Sequence, residues 1–203
     1  MRQETGNNAT AANEKVSIQF NLGGHSFSAS DLPTEVLGGS DNVLFSVATH
    51  KVTLVPRCAF EESLSAEYLA AVGLSCDDGE TTVCSEMQAE TIAVMAIDCN
   101  VLDGVLALLG TRARFTSPLL DERHDGSRNL SIRVADGVAY FRLFDNALRL
   151  AEAVRVKTAD DVLFYALQFL QSAELGTDTD IYISGDRTAA KLLKRYFKRV
   201  VCE

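Results

Sequence analysis

From Leu130 to Phe197 the hydrophobic period of the chain changes from two to 3.6 and back, and the order of those changes constrains the fold most. Leu130, Ile132 and Val134 alternate with polar residues, Asp136-Gly137 marks a tight turn, and Val138, Tyr140 and Phe141 continue the apolar pattern. A second turn at Asp145-Asn146 precedes a third strand near Arg149 to Val156. Alternation with period two places one face of each strand on a core, so these segments read as a three-stranded meander. The period then lengthens: Val162, Leu163, Ala166, Leu167, Leu170 and Ala173 share one helical face, and Gly176 ends it. Thr158 and Asp161 have capping-box spacing, with Asp where Glu or Gln is usual. DIYIS at Asp180 to Ser184 is a strand closed by Gly185, Arg187 to Phe197 is a helix, and Val200 to Cys202 is a short last strand. On the last helix Arg187, Lys191, Lys194, Arg195, Lys198 and Arg199 form one side, and Leu192, Leu193, Tyr196 and Phe197 the other. A basic side opposite an apolar one reads as a solvated face on a packed helix.

The first half follows a similar plan. Residues 1–14 are polar and read as a frayed tail. Val16, Ile18 and Phe20 alternate, Gly23-Gly24 follows, and Phe27 and Ala29 resume, which predicts a hairpin. A second strand pair is expected at Val43 to Ala48 and Val52 to Val55, ended by Pro56, and short helical pieces from Cys58 to Leu74. Thr91 to Ile97 reads as a buried strand, Asn100 to Leu109 as a helix capped by Gly110, and Ala113 to Phe115 as a strand. That sequence of elements predicts a βαβ crossover. DERHDGSRN at Asp121 to Asn129 is charged and nearly without apolar residues. The expected organisation is therefore a tail at 1–14, a lobe at 15–120, a linker at 121–129 and a second lobe at 130–203.

Charge narrows the partners. Residues 1–120 carry 6 Lys and Arg against 15 Asp and Glu, a net of −9, whereas residues 121–203 carry 13 of each. An acidic half repels phosphate backbones and lacks the basic clusters that counterion release needs, so nucleic acid is not an expected partner. The five cysteines, Cys58, Cys76, Cys84, Cys99 and Cys202, contain no C-x-x-C pair and read as reduced thiols of a cytoplasmic protein. No apolar run approaches the ~20 residues of a spanning helix, and Met1 to Lys15 has no apolar core of a signal peptide.

The order β-β-β-α-β-α is that of the ribonuclease H-like subdomain found in actin-like ATPases. More local wording points further. KVTLVP at Lys51 to Pro56 with AEYLA at Ala66 to Ala70, and KTADDVLFYALQFL at Lys157 to Leu170 with DIYISGD at Asp180 to Asp186, resemble the domain of unknown function 3822 family, centred on Bacteroidetes. The resemblance covers about Val16 to Val201. It implies an α/β protein with a duplicated ribonuclease H-like, actin-like ATPase fold: two lobes, each with a mixed sheet opened by a hairpin and flanked by helices, facing a cleft. The space before Val43 is short for the long first-lobe helix of such folds, which predicts a trimmed lobe and a shallower cleft.

Actin-like ATPases carry an Asp-x-Gly-Gly, Ser or Thr turn on the first hairpin of each lobe, where glycine N–H groups cradle phosphate and the Asp holds Mg²⁺ through water. Here Asn21-Leu22-Gly23-Gly24 has the form but not the charge. Losing one charge at ~4 Å costs roughly 2 kcal/mol after screening, about thirtyfold in affinity. The second turn keeps Asp136, but Gly137 follows it directly, as in an ordinary hairpin turn. For the adenosine loop, which usually carries two glycines, Ser184-Gly185-Asp186 offers one. The resemblance thus implies an interlobe ligand site at Asn21, Gly23, Gly24, Asp136, Gly137, Ser184, Gly185 and Asp186, with no resident cofactor and at most weak Mg-ATP binding. The expected function is a non-enzymatic module working through a protein partner or self-association; the alternative is a nucleotide-dependent phosphotransferase or ATPase of the sugar-kinase and actin class.

Other constellations are weaker. His50 and Cys58 flank a strand and lack a third orienting group for a thiol dyad. Glu61-Glu62 and Asp77-Asp78-Gly79-Glu80 read as solvated acidic clusters, and Asp160-Asp161 suits the positive end of its helix. GxxxxGK, GxSxG and HExxH are absent from the sequence.

Overall fold

The computed structural model describes residues 18–22, 42–86, 89–121 and 128–203. In the first lobe β1 (Ile18–Leu22), β2 (Val43–Val47) and β6 (Ala113–Thr116) form a parallel sheet in the order β1-β2-β6, with Phe20, Phe45 and Phe115 in one row. Between β2 and β6 the chain builds a second, antiparallel sheet of β3 (Val52–Pro56), β5 (Thr91–Asp98) and β4 (Glu80–Cys84), in the order β3-β5-β4. Helix α1 (Ser65–Ala71) packs on this sheet through Leu69, and α2 (Cys99–Leu109) leads from β5 to β6.

Two expectations fail here. β2 and β3 are not a pair, because they belong to different sheets; β2 is central and parallel to both neighbours. Its VLFSV run is buried on both faces except at Leu44, the pattern of a parallel strand rather than a hairpin arm. Nor do β5, α2 and β6 form a crossover within one sheet, since α2 passes from the antiparallel sheet to the parallel one. β4 escaped sequence reading because ETTVC buries Val83 alone. The expected hairpin partner at Phe27 and Ala29, and the stretch at 23–41 expected to be too short for a long first-lobe helix, lie outside the described residues.

The ends of α2 follow the expected chemistry. Asp98 accepts the N–H groups of Asn100 and Val101, Val101, Val105 and Leu109 are buried one turn apart, and Gly110 turns the chain at φ 52.

The second lobe matches its expected order throughout. β7 (Arg128–Ala135), β8 (Val138–Asp145) and β9 (Ala147–Arg155) form an antiparallel meander, α3 (Ala159–Ser172) crosses over, and β10 (Asp180–Ser184) lies parallel to β7. Then come α4 (Arg187–Leu193) and β11 (Val200–Cys202), giving the sheet order β11-β10-β7-β8-β9. The capping box of α3 is complete: Asp161 N–H donates to Thr158 Oγ1 at 3.2 Å, and Thr158 N–H donates to Asp161 Oδ2 at 2.9 Å. Backbone N–H groups of Lys157 and Thr158 hold the Asp161 carboxyl below its ordinary value.

Both helix ends differ from expectation. α4 stops at Leu193, and the following turns bury Phe197 but leave Tyr196 exposed. α3 is closed not by Gly176 but by Glu174, which takes φ 58 while Glu174 and Leu175 donate to the carbonyls of Gln171 and Leu170. This is a Schellman ending with a side chain where glycine is favoured; the ending of α1 has Gly73 there, at φ 76. Glu174→Gly is therefore expected to raise the unfolding free energy by about 0.5–1 kcal/mol in urea titration, because it removes left-handed strain.

Alternation along β8 decides how the lobes join. Ala139, Phe141 and Leu143 face the second-lobe core with Leu130, Ile132, Val162, Ala166 and Leu170. Val138 and Tyr140 face the other way, into the first-lobe core of Phe45, Met95, Val101 and Val105, and Ala151 and Ala153 of β9 pack there too. One sheet of the second lobe thus serves two cores.

Candidate functional site

A cleft of about 460 Å³ lies where the lobes meet. In parallel sheets the carboxyl ends of strands are where loops leave space for ligands. Here the carboxyl end of β2, Val47 to His50, forms one wall, and the β7–β8 turn with Val138 and Arg155 forms the other. Asp77, Asp78, Glu80 and Asp98 come from the antiparallel sheet and its turns, and Ala96, Ile97 and Val101 supply apolar surface.

The first wall is fixed by a buried cation. Lys51 Nζ sits 2.7 Å from Asp77 Oδ2 and 2.6 Å from Glu80 Oε2, and the Asp77 N–H donates to the same Glu80 oxygen at 2.7 Å. Burial lowers the lysine's proton affinity, but hydrogen bonds and charge from the two carboxylates outweigh it and hold Lys51 above its ordinary value. The acidic cluster expected to be solvated is thus partly structural: Asp77 and Glu80 clamp Lys51.

Among the described residues two side-chain hydrogen bonds cross between the lobes. The Tyr140 hydroxyl donates to the Thr49 carbonyl at 3.0 Å, and Arg155 Nε donates to His50 Nδ1 at 3.2 Å. Burial first, and then the Arg155 and Lys51 cations, set His50 below the ordinary imidazole value. Outside the cleft lining, the buried Arg142 donates to the Asp121 carbonyl and to Ser131 Oγ at 3.0 Å, while Arg133 meets Asp121 Oδ2 at 2.8 Å. Sequence reading missed Lys51, Arg142 and Arg155; the only signal was a cation inside an otherwise apolar strand, as in VAYFRLF.

The expected site residues divide. Asn21 lies in β1 beside Ser46 of β2, and Leu22 lies beside Val47, so β1 ends next to the first wall. Gly23 and Gly24 lie outside the described residues. Asp136 lines the cleft, and with Gly137 forms a two-residue hairpin turn, both at positive φ (49 and 73) as type I′ requires. The Gly137 carbonyl accepts the Val156 N–H at 2.8 Å. Ser184, Gly185 and Asp186 line a separate, smaller depression of about 170 Å³ with Cys202 and Glu203. There Asp186 caps α4, its Oδ1 accepting Thr188 N–H at 2.7 Å and Ala189 N–H at 3.0 Å. His50 and Cys58 stand at opposite ends of β3, with Cys58 exposed.

Among the described residues no three His, Cys, Asp or Glu side chains converge where a metal ion could sit, and no helix is long and apolar enough to cross a membrane.

The topology and the cleft define a class. A Bacteroides thetaiotaomicron protein of actin-like ATPase fold and unknown function superposes with a TM-score of 0.66 over 80% of this chain and 68% of that one, at 18% identity. The chain has the actin-like ATPase fold. Weaker likenesses, at TM-scores of 0.46 and 0.41, are to the PilM–PilN type IV pilus biogenesis complex and to the cytoplasmic domain of EpsL, an inner-membrane component of the Vibrio cholerae type II secretion system. Their identities are 12% and 17%, over 80% and 73% of this chain and 69% and 63% of those. No protein-family model and no curated protein matches the sequence.

Proposed function

We propose that the chain is a non-enzymatic, actin-like module of the bacterial cytoplasm that works through protein contacts, has no resident cofactor, and belongs with the domain of unknown function 3822 family. The observation that carries this reading is the use already made of the residues a nucleotide would need. The Asp186 carboxylate occupies two N–H groups at the start of α4 and leaves negative charge there. The Asp136-Gly137 turn is a two-residue hairpin closure with one glycine, not the two that the phosphate turn of such folds offers. The cleft is lined by Asp77, Asp78, Glu80, Asp98 and Asp136, with Arg155 the one cation among its lining residues and Lys51 paired to Asp77 and Glu80, so carboxylates outnumber cations there. Such a wall repels a polyphosphate. Family membership is supported by KVTLVP falling on β3 and DIYISGD on β10 with the start of α4.

The competing reading is a phosphotransferase of the sugar-kinase and actin class. What favours it is that β1 and β7, the first strand of each lobe, both end at this cleft. Melting the protein with millimolar Mg-ATP separates the two. A ligand at a hundred times its Kd adds about 2.7 kcal/mol, several degrees for a chain of this size. The expected result is a melting temperature unchanged within about a degree and no phosphate release. A rise of several degrees with phosphate release, enhanced by Asn21→Asp, would establish the enzyme instead.

A further inference from the structure

Residues 187–199 hold six cations, Arg187, Lys191, Lys194, Arg195, Lys198 and Arg199, and no carboxylate. All six are exposed. Arg199 meets Asp180 at 2.9 Å; among the described residues no carboxylate lies within ion-pair range of the other five. Ala189, Ala190, Leu193 and Phe197 fill the second-lobe core, so the cations are left on the outer side, with exposed Tyr196 among them.

The first lobe is the opposite. Between Arg57 and Arg112 the sequence has no cation and ten carboxylates. Three of these, Glu61, Glu62 and Glu67, are exposed at α1 and the turn before it, in a stretch that also exposes Leu64 and Val72. α1 lies on the β3-β5-β4 sheet, whereas α4 lies against β10 and β11, at the sheet edge away from β9. The two patches therefore do not neutralise each other within one chain.

We propose that the basic patch of α4 and the turns after it, Arg187 to Arg199, docks on the acidic face around α1 of a second copy of this chain, head to tail. This deepens the protein-contact reading and rests on it. Charge complementarity selects the occupant: a nucleic acid or an anionic membrane nearing α4 also meets the net charge of −9 in residues 1–120, whereas a second copy can present that acidic surface as the partner itself. Tyr196 on one side and Leu64 and Val72 on the other supply an apolar centre inside a charged rim. A heterologous contact uses a different patch on each copy, so each end of the pair keeps one patch free.

Sedimentation equilibrium tests this. In about 50 mM salt the mean mass should rise with protein concentration, and in about 500 mM salt, where the screening length falls to roughly 4 Å, association should weaken at least tenfold. Lys191→Gln/Lys194→Gln/Lys198→Gln and Glu61→Gln/Glu62→Gln/Glu67→Gln should each be folded by circular dichroism and monomeric alone. Mixed, they should form a 1:1 dimer that grows no further, since one supplies the intact acidic face and the other the intact basic face. The docking is overturned by a wild-type chain that stays monomeric in low salt, by variants that associate like wild type, or by wild-type binding to duplex DNA or anionic vesicles that the lysine variant loses. Nucleotide hydrolysis is read separately, so a monomer without hydrolysis defeats this docking and leaves the non-enzymatic reading standing.

Discussion

Gly185→Ala is expected to cost at least about 3 kcal/mol of folding free energy, because two penalties add at that position. Gly185 has φ +89, which L side chains rarely adopt, and a Cβ there would stand 1.9 Å from the Val134 carbonyl oxygen and 2.9 Å from its carbon. The obstacle is backbone in the middle of a five-stranded sheet, so it cannot swing aside. β10 would have to leave β7, or α4 would have to start elsewhere. Gly137→Ala is the control: its φ is +73, but its nearest neighbour, the Val156 carbonyl, is 3.6 Å away, an ordinary contact. It carries the backbone penalty alone, about 1 kcal/mol. Urea denaturation of both variants isolates the close approach, and equal losses in the two would mean that β10 does not come so near β7. Folded proteins of this kind hold roughly 5–15 kcal/mol in reserve, so Gly185→Ala removes a large share of it.

Lys51→Met is expected to destabilise by about 2 kcal/mol, less than the roughly 3–5 kcal/mol of a fully buried broken pair because both carboxylates reach water. Methionine fills the space of the lysine stem but leaves Glu80 and Asp77 facing each other through a shared hydrogen bond, with no cation between them. Glu80→Gln, which keeps shape and one partner, should cost less. The pH dependence has two limbs. Lys51 is raised in the folded state, so its contribution is complete below the unfolded value of 10.5 and fades as pH climbs through the higher folded value. Asp77 is lowered, first through its hydrogen bond to Lys51, so its contribution is present above 3.8 and fades as pH falls through the lower folded value. Lys51→Met should flatten both limbs of the stability profile, and a variant with an unaltered profile would show the clamp to be idle.

Much of the second lobe was legible because its strands and helices follow one another along the chain in the order of the sequence signals, and all its strands join one sheet. Thr158 and Asp161 announce α3, DIYIS maps onto β10 without a residue's error, and Asp136-Gly137 closes its hairpin as its residue types dictate. The first lobe was harder for a physical reason. Its strands adjacent in sequence lie in different sheets, and local patterning says which faces are apolar but not which strand is the neighbour. VLFSV and ETTVC illustrate the two failures: the first is too apolar to alternate, the second too polar to stand out. At the cleft, Asp136 could be placed from motif order, but the Lys51 clamp and the Arg155–His50 contact could not. Those pairs are 29 and 105 residues apart, joined only by the folded topology.

The double role of β8 has a consequence for how this duplication can behave. Val138 and Tyr140 complete the neighbouring lobe's interior, so the first lobe has no finished interior of its own, whereas the second-lobe core draws on that lobe alone. A fragment beginning at Arg128 would present an apolar sheet face to water, and the remainder would carry a hole shaped like a tyrosine. Swinging the lobes apart like jaws would strip Val138 and Tyr140 from the interior they fill, so the shared wall ties the mechanics of one half to the other.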